Sequence, residues 1–245
     1  MIYKTYVLSI RELLLVGSIA IGVTGIIAFL FYRSLGGLIL LPIVFILLKK
    51  ADEKRRLRNR KEKLHMEFME GLKALNNALQ AGYSMEHAWR ETETELEILY
   101  GEDSYVYQEL VEINALAKNN VPIEQLILEF SLRTGIDDIV QFAEVLGYGK
   151  RSGANWGKII EATIYRIQEK YETKKEVEVM LAGKRMEILI LCVIPLFLLF
   201  FLQITADSYM QMLYHNILGI CCMTIALAGY VGAIYLAVKT IQIQV

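Results

Sequence analysis

The sequence predicts an all-α membrane protein in which four transmembrane helices frame one cytoplasmic six-helix bundle. Hydrophobic residues make up 55% of its 245 residues, and a mean hydropathy of +0.38 is above the range of ordinary soluble domains. The excess is concentrated in runs near the two ends, leaving a polar middle. In that middle, residues 49–185, there is one proline, Pro122, and apolar residues recur at steps of three and four with no strand-like alternation.

The first run, "LLLVGSIAIGVTGIIAFLF" (13–31), carries no charge and has the length of roughly 20 residues that a bilayer crossing needs. It is too long for a signal peptide and is followed by no small-residue cleavage site. The second, 35–48, is short, but Lys49 and Lys50 follow it and can snorkel to the interface. The third and fourth are 186–204 and 217–238. The chain therefore divides into residues 1–48 with two spans, a cytoplasmic segment 49–185, and residues 186–245 with two more. Residues 49–63 hold nine Lys or Arg against three acids, whereas the loops 32–37 and 205–216 contain only Arg33 between them. Basic flanks stay cytoplasmic, so both termini are expected inside, in a plasma (inner) membrane.

Six helices are predicted in the middle segment. The first continues the second span to about residue 81, with Leu64, Phe68, Leu72, Leu75 and Leu79 on one face. Gly82 can end it in a left-handed conformation and Ser84 can cap the next, a helix of about 85–100 with Met85, Ala88, Trp89, Thr92, Leu96 and Leu99 inward. A third turns Val106, Leu110, Ile113 and Ala117 inward. A fourth starts at Pro122 with Ile123, Leu126, Ile127 and Phe130 inward, and stops at Gly135. Asp137 or Asp138 can cap the fifth, which holds Ile139, Phe142, Ala143 and Leu146. After a glycine-rich turn, Asn155 can cap a sixth with Trp156, Ile160, Ile164, Ile167 and Tyr171 inward. It runs toward the third span with a bend expected at Gly183. The connections are short, as in an antiparallel bundle.

Charge is layered: +6 over residues 49–63, −12 over 64–148 and +4 over 149–185. The basic ends suit anionic lipid, at about 1 kcal/mol per Lys or Arg near the surface, and 49–63 is the expected contact. The acidic middle is either a solvated surface or a docking face. Its densest run is "ETETELE", with Glu91, Glu93, Glu95 and Glu97, followed by Glu102 and Asp103. Like charges four apart on a helix repel mildly, so a basic partner is favoured there.

The residues that catalysis requires do not assemble. The loop "GYGKRSG" follows Lys150 with Arg151 where a phosphate loop needs Ser or Thr, and Glu144 occupies the place of its first glycine. His65, His87 and His215 are far apart, and Cys192, Cys221 and Cys222 all fall in spans as small apolar side chains. No catalytic residue, cofactor, metal or nucleic-acid partner is expected. No charge lies at the centre of a span, which speaks against an ion pathway. Ser18 with Gly22, and Gly229 with Ala233 and Ala237, form small-residue stripes that allow close helix contact, within the chain or between chains.

Two helix–turn–helix stretches recur in order: "ALQAGYSMEHAW" and, some 65 residues later, "LGYGKRSGANWGKII". With the long exit helix into a span, residues 64–205 resemble the type II secretion F-domain family, the inner-membrane platform proteins of type II secretion and type IV pili. The turn motifs are carried by Gly82 and Ser84 and by Gly149, Ser152 and Gly153. Secretion-type members have two copies of the domain. A single copy preceded by two spans is more similar to the tight-adherence (Tad, or Flp) pilus branch. The resemblance implies a non-enzymatic platform that meets a secretion ATPase. It would pair with a related platform protein or a second copy of itself, and would couple ATPase movement to extraction and assembly of pilin subunits. Two other classes compete: a membrane signalling or scaffold protein with a helical interaction domain, and a small-molecule transporter, for which Pro195 is the only broken-span feature.

Overall fold

The computed structural model describes residues 8–152, 156–206, 210, 213, 214 and 216–243. The chain is about 90% helical, with no strand among the described residues. The helices are α1 (Ile10–Ile27), α2 (Leu41–Gln80), α3 (Met85–Tyr100), α4 (Tyr105–Ala117), α5 (Ile123–Thr134), α6 (Asp137–Ser152), α7 (Trp156–Thr205) and α8 (Ile217–Ile243). A π-helical turn, Ala28–Tyr32, and a 3-10 segment, Leu35–Leu40, lie between α1 and α2.

Among the described residues three stretches are long and apolar enough to cross a membrane: Ile10–Tyr32, part of Gly157–Thr205, and Ile217–Ala237, with mean hydropathies of 2.5, 2.8 and 2.2. The run 35–48 is divided between the 3-10 segment and the first two turns of α2, so it forms no separate helix of its own. Both α2, with 40 residues, and α7, with 50, pass from polar to apolar sequence without interruption. The α7 helix runs on past Gly183, where the sequence predicts a bend, and past Pro195, which has no N–H to donate to Leu191 O.

The chain separates into two compact units. One, Glu53–Glu172, holds a single buried core drawn from α2 to α7. Most inward positions predicted from periodicity are buried, including Leu64, Phe68, Leu72, Leu75, Ala88, Trp89, Leu96, Val106, Leu110 and Ile113. Ile123, Ile127, Phe130, Ile139, Phe142, Ile160 and Ile164 are buried with them. Leu79, Met85, Ala117 and Tyr171 are half-buried, and the Trp156 side chain lies outside the described residues. Leu99 departs, with 55% of its surface exposed. The α2–α3 hairpin has the expected chemistry. Gly82 has φ +89°, and its N–H donates to Leu79 O while the Tyr83 N–H donates to Ala78 O, a paired helix termination. Ser84 Oγ then accepts from the His87 N–H at 3.4 Å and starts α3.

A Cβ at Gly82 would meet nothing within 4 Å, so any cost of substitution lies in the backbone. Gly82→Val is expected to destabilise the chain by more than about 1 kcal/mol, since a β-branched residue is strained at positive φ. Gly82→Asn should cost less, because Asn tolerates this region. Urea titration in detergent, followed through Trp89 fluorescence in a Trp156→Phe background, measures both. Equal stability of the Val and Asn variants would show that φ is not what glycine supplies here.

The second unit comprises Leu8–Asp52 and the chain from Thr173 onward. Its α1 buries Val16, Ala20 and Thr24, spaced four apart. A Cβ on Gly37 would stand 2.6 Å from Ala28 Cβ and 2.7 Å from Ala28 Cα. Only glycine permits the 3-10 segment to approach the π-helical turn this closely. A small cluster of Leu30, Phe31, Met210, Tyr214, Met223 and Leu227 is buried beside it.

Candidate functional site

The polar residues buried in the first unit tie its helices together in pairs distant in sequence. The Glu67 carboxylate, 1% exposed, accepts from Ser104 Oγ at 3.0 Å and from the Val106 N–H at 3.1 Å. It thereby satisfies donors at the start of α4, where the helix dipole favours an anion. Arg60 and Lys63 stand over the Tyr105 ring at 5.2 and 5.4 Å. Buried Glu109 pairs with Arg133. Asn114 Nδ2 donates to Trp89 O at 3.2 Å and to Glu93 Oε2 at 2.6 Å.

Asp138 was expected as a possible cap of α6. It is instead buried in the first turn, with His65 Nε2 3.0 Å from Oδ2 and Lys170 Nζ 2.7 Å from Oδ1. The adjacent His65 imidazole and the Lys170 ammonium hold this carboxyl below its ordinary value against the opposing effect of burial. A lowered carboxylate stabilises the fold fully above about pH 4, the ordinary Asp value, and the contribution is lost as pH falls through the lowered value. Asp138→Asn should therefore cost about 1–3 kcal/mol at neutral pH and flatten the acid limb of the stability profile. An unchanged acid limb would show that Asp138 is not the group titrating there.

The acidic run of α3 is divided in two by these contacts. Glu93 is half-buried and bound to Asn114. Burial, then the charges of Glu97, Glu93 and Glu102, hold the Tyr107 hydroxyl above its ordinary value. Glu91 and Glu95, with Ile98 at 79% exposure, share the outer face of α3, and Glu102 and Asp103 are exposed in the turn beyond. Sequence reasoning did not separate Glu93 from the others, because its Asn114 partner lies on another helix.

The turn motifs fare unequally. Gly82 and Ser84 form the hairpin. Gly149 and Ser152 lie within α6, which runs on through the predicted glycine-rich turn, while Gly153 and the Asn155 cap lie outside the described residues. The stripes of small residues stay open within the chain: Ser18, Gly22, Gly229 and Ala233 are exposed, and α1 packs through Val16, Ala20 and Thr24 instead. Ala237 is half-buried.

Sequence reasoning missed a polar knot in the second unit. Gln203 Nε2 donates to Phe29 O and Leu30 O, each at 3.1 Å, and lies 3.0 Å from Tyr214 Oη. The Tyr214 hydroxyl donates to Leu30 O at 2.7 Å. These carbonyls belong to the π-helical turn, whose altered bonding leaves them in need of donors. Among the described residues no three His, Cys, Asp or Glu side chains gather as a metal site. No family model, no curated protein and no solved structure matches this chain.

Proposed function

We propose that the chain is a non-enzymatic integral-membrane platform of a Tad (Flp) or type IV pilus, or of a type II secretion machine, coupling a cytoplasmic ATPase to pilin extraction and assembly. The observation that supports the reading best is the pair of unbroken helices, α2 and α7, each joining the helical core to apolar sequence. A push on the core has a covalent helical route into two apolar segments. In this reading residues 49–185 form a six-helix bundle in the cytoplasm, 35–48 is a fourth span, and both termini are cytoplasmic in the plasma membrane. A related platform protein or a second copy completes the assembly.

The ATPase-facing surface is Glu91 and Glu95 with Ile98, continued by Glu102 and Asp103. Glu93 belongs to the support behind it, since it binds Asn114, while exposed Glu97 stays with the acidic face. The lipid contact is narrower than 49–63. A helix leaving the bilayer steeply rises about 21 Å from Lys49 to Lys63, beyond the screening length of about 8 Å, and Arg60 and Lys63 are engaged with Tyr105. Lys49 and Lys50 are then the residues at the headgroups.

The test is made in the organism that encodes the chain. Deletion should abolish pili while leaving pilin in the membrane, and the ATPase should copurify with the wild-type chain. Glu91→Lys with Glu95→Lys should weaken that copurification in a salt-dependent way, with Trp89 fluorescence unchanged. Reporter fusions at Ser34 and Ser208 should read outside, and one at Gly101 inside. A piliated deletion strain would overturn the function, and an inside signal at Ser208 the topology.

A further inference from the structure

Two adjoining concavities on the helical core share Pro122 and Glu124. The first, about 620 Å³, is lined by Leu79, Met85, Ala117, Val121 and Ile123 with Tyr83 and Glu86 at its side. The second, about 550 Å³, is lined by Leu128, Ala143 and Gly147 with Tyr148 and Glu144. Their floor reaches the main core, for Leu79, Met85, Ala117 and Val121 pack against it while staying partly open. The rim is aromatic and acidic: Tyr83 is 45% exposed and Tyr148 70%, and Glu86 and Glu144 are exposed. Tyr83 is braced by the His87 ring at 4.6 Å.

We infer that this groove binds a cationic amphipathic helix of a partner protein, apolar side chains seated over Leu128 and Met85 and Lys or Arg against Glu86 and Glu144. Each concavity has the volume of a ligand pocket, and helix-in-groove recognition uses such a floor with a charged rim. The rim charge selects against the other occupants. Carboxylates repel anionic lipid, and a concave face does not suit a bilayer surface. The strongest basic run of this chain itself, 49–63, offers only Ala51 and Leu57 to an apolar floor, so a second copy is a poor fit. The inference is independent of which machine the chain serves and lies apart from the outer face of α3.

The probe is a short synthetic helix with Leu along one face and Lys along the other. It is titrated against the full chain in zwitterionic nanodiscs, with empty nanodiscs subtracted. Saturable binding is expected, at least about tenfold weaker for Leu128→Asp and for Glu86→Gln combined with Glu144→Gln. Trp89 fluorescence verifies that each variant is folded, and the Gln pair retains shape if the Asp change disturbs it. The same helix with Glu in place of Lys should bind at least tenfold more weakly. Absence of saturable binding, equal binding by the charge-reversed helix, or unchanged affinity of the folded Gln pair would each overturn the inference. So would a dimer of the chain that Leu128→Asp dissociates, which would assign the groove to a second copy.

Discussion

Phe142→Ala is expected to lower the stability of the helical core by about 3–5 kcal/mol, the range for removing a fully buried aromatic. The Phe142 side chain has no exposed surface, and its ring meets Phe68 edge-on at 5.7 Å and Trp89 at 6.3 Å. Phe68 in turn contacts Phe130 at 6.3 Å, so the ring of α6 joins aromatic side chains of α2 and α3 directly and that of α5 through Phe68. Two terms act together: the lost apolar burial and the cavity left among helices that relax only in part. Phe142→Leu retains much of the volume and should cost less than half as much. Urea titration of the full chain in detergent, read through Trp89 fluorescence, is well placed because Trp89 itself touches the altered ring. A Phe142→Ala cost below about 1 kcal/mol would mean that the surrounding helices close the space.

The aromatic cluster was legible in the sequence because its members fall at helical spacing, and so were the hairpin at Gly82 and the cap at Ser84, which are local chemistry. Leu99 shows the limit of periodicity. At 100° per residue it lies within about 20° of Thr92 around the α3 axis, yet it is more than half exposed while Thr92 is buried. Spacing fixes which way a side chain points and says nothing of whether a neighbour covers it. The polar ties were invisible for a related reason. Glu67 with Ser104, Glu109 with Arg133 and Asp138 with Lys170 are separated by 37, 24 and 32 residues, and each looks like an ordinary surface charge until the helices are packed. For the same reason Glu93, which Asn114 holds, looks in the sequence like its exposed neighbours Glu91, Glu95 and Glu97. The glycine-rich stretch after Leu146 misled in the opposite direction: Gly147 and Gly149 permit a turn, but α6 continues through both, since glycine in a helix costs only about 1 kcal/mol each.

Glu67→Ala should be the most damaging change of a charged residue, at about 2–5 kcal/mol. Removing the carboxylate leaves two donors without an acceptor, the Ser104 hydroxyl and the Val106 N–H, in a place where Ser104 is 1% and Val106 2% exposed. Each unsatisfied buried donor costs about 1–3 kcal/mol. Glu67→Gln retains one carbonyl acceptor but loses the charge at the helix start, so it should fall between. Glu70→Ala is the control: its carboxylate lies one turn away, half-buried and paired with Lys73 at 2.8 Å, and pairs open to solvent contribute about 0–1 kcal/mol. A double-mutant cycle with Ser104→Ala isolates the tie, because the pair should cost less than the two single changes added together. The consequence reaches the α3 face, since α4 carries the Asn114 that holds Glu93. On the proposed platform reading, Glu67→Ala protein that remains folded should therefore bind the proposed ATPase less well although Glu67 is buried, whereas Glu70→Ala should bind as wild type does. Equal stability of the Glu67→Ala and Glu70→Ala proteins would show that α4 is held by its apolar face alone.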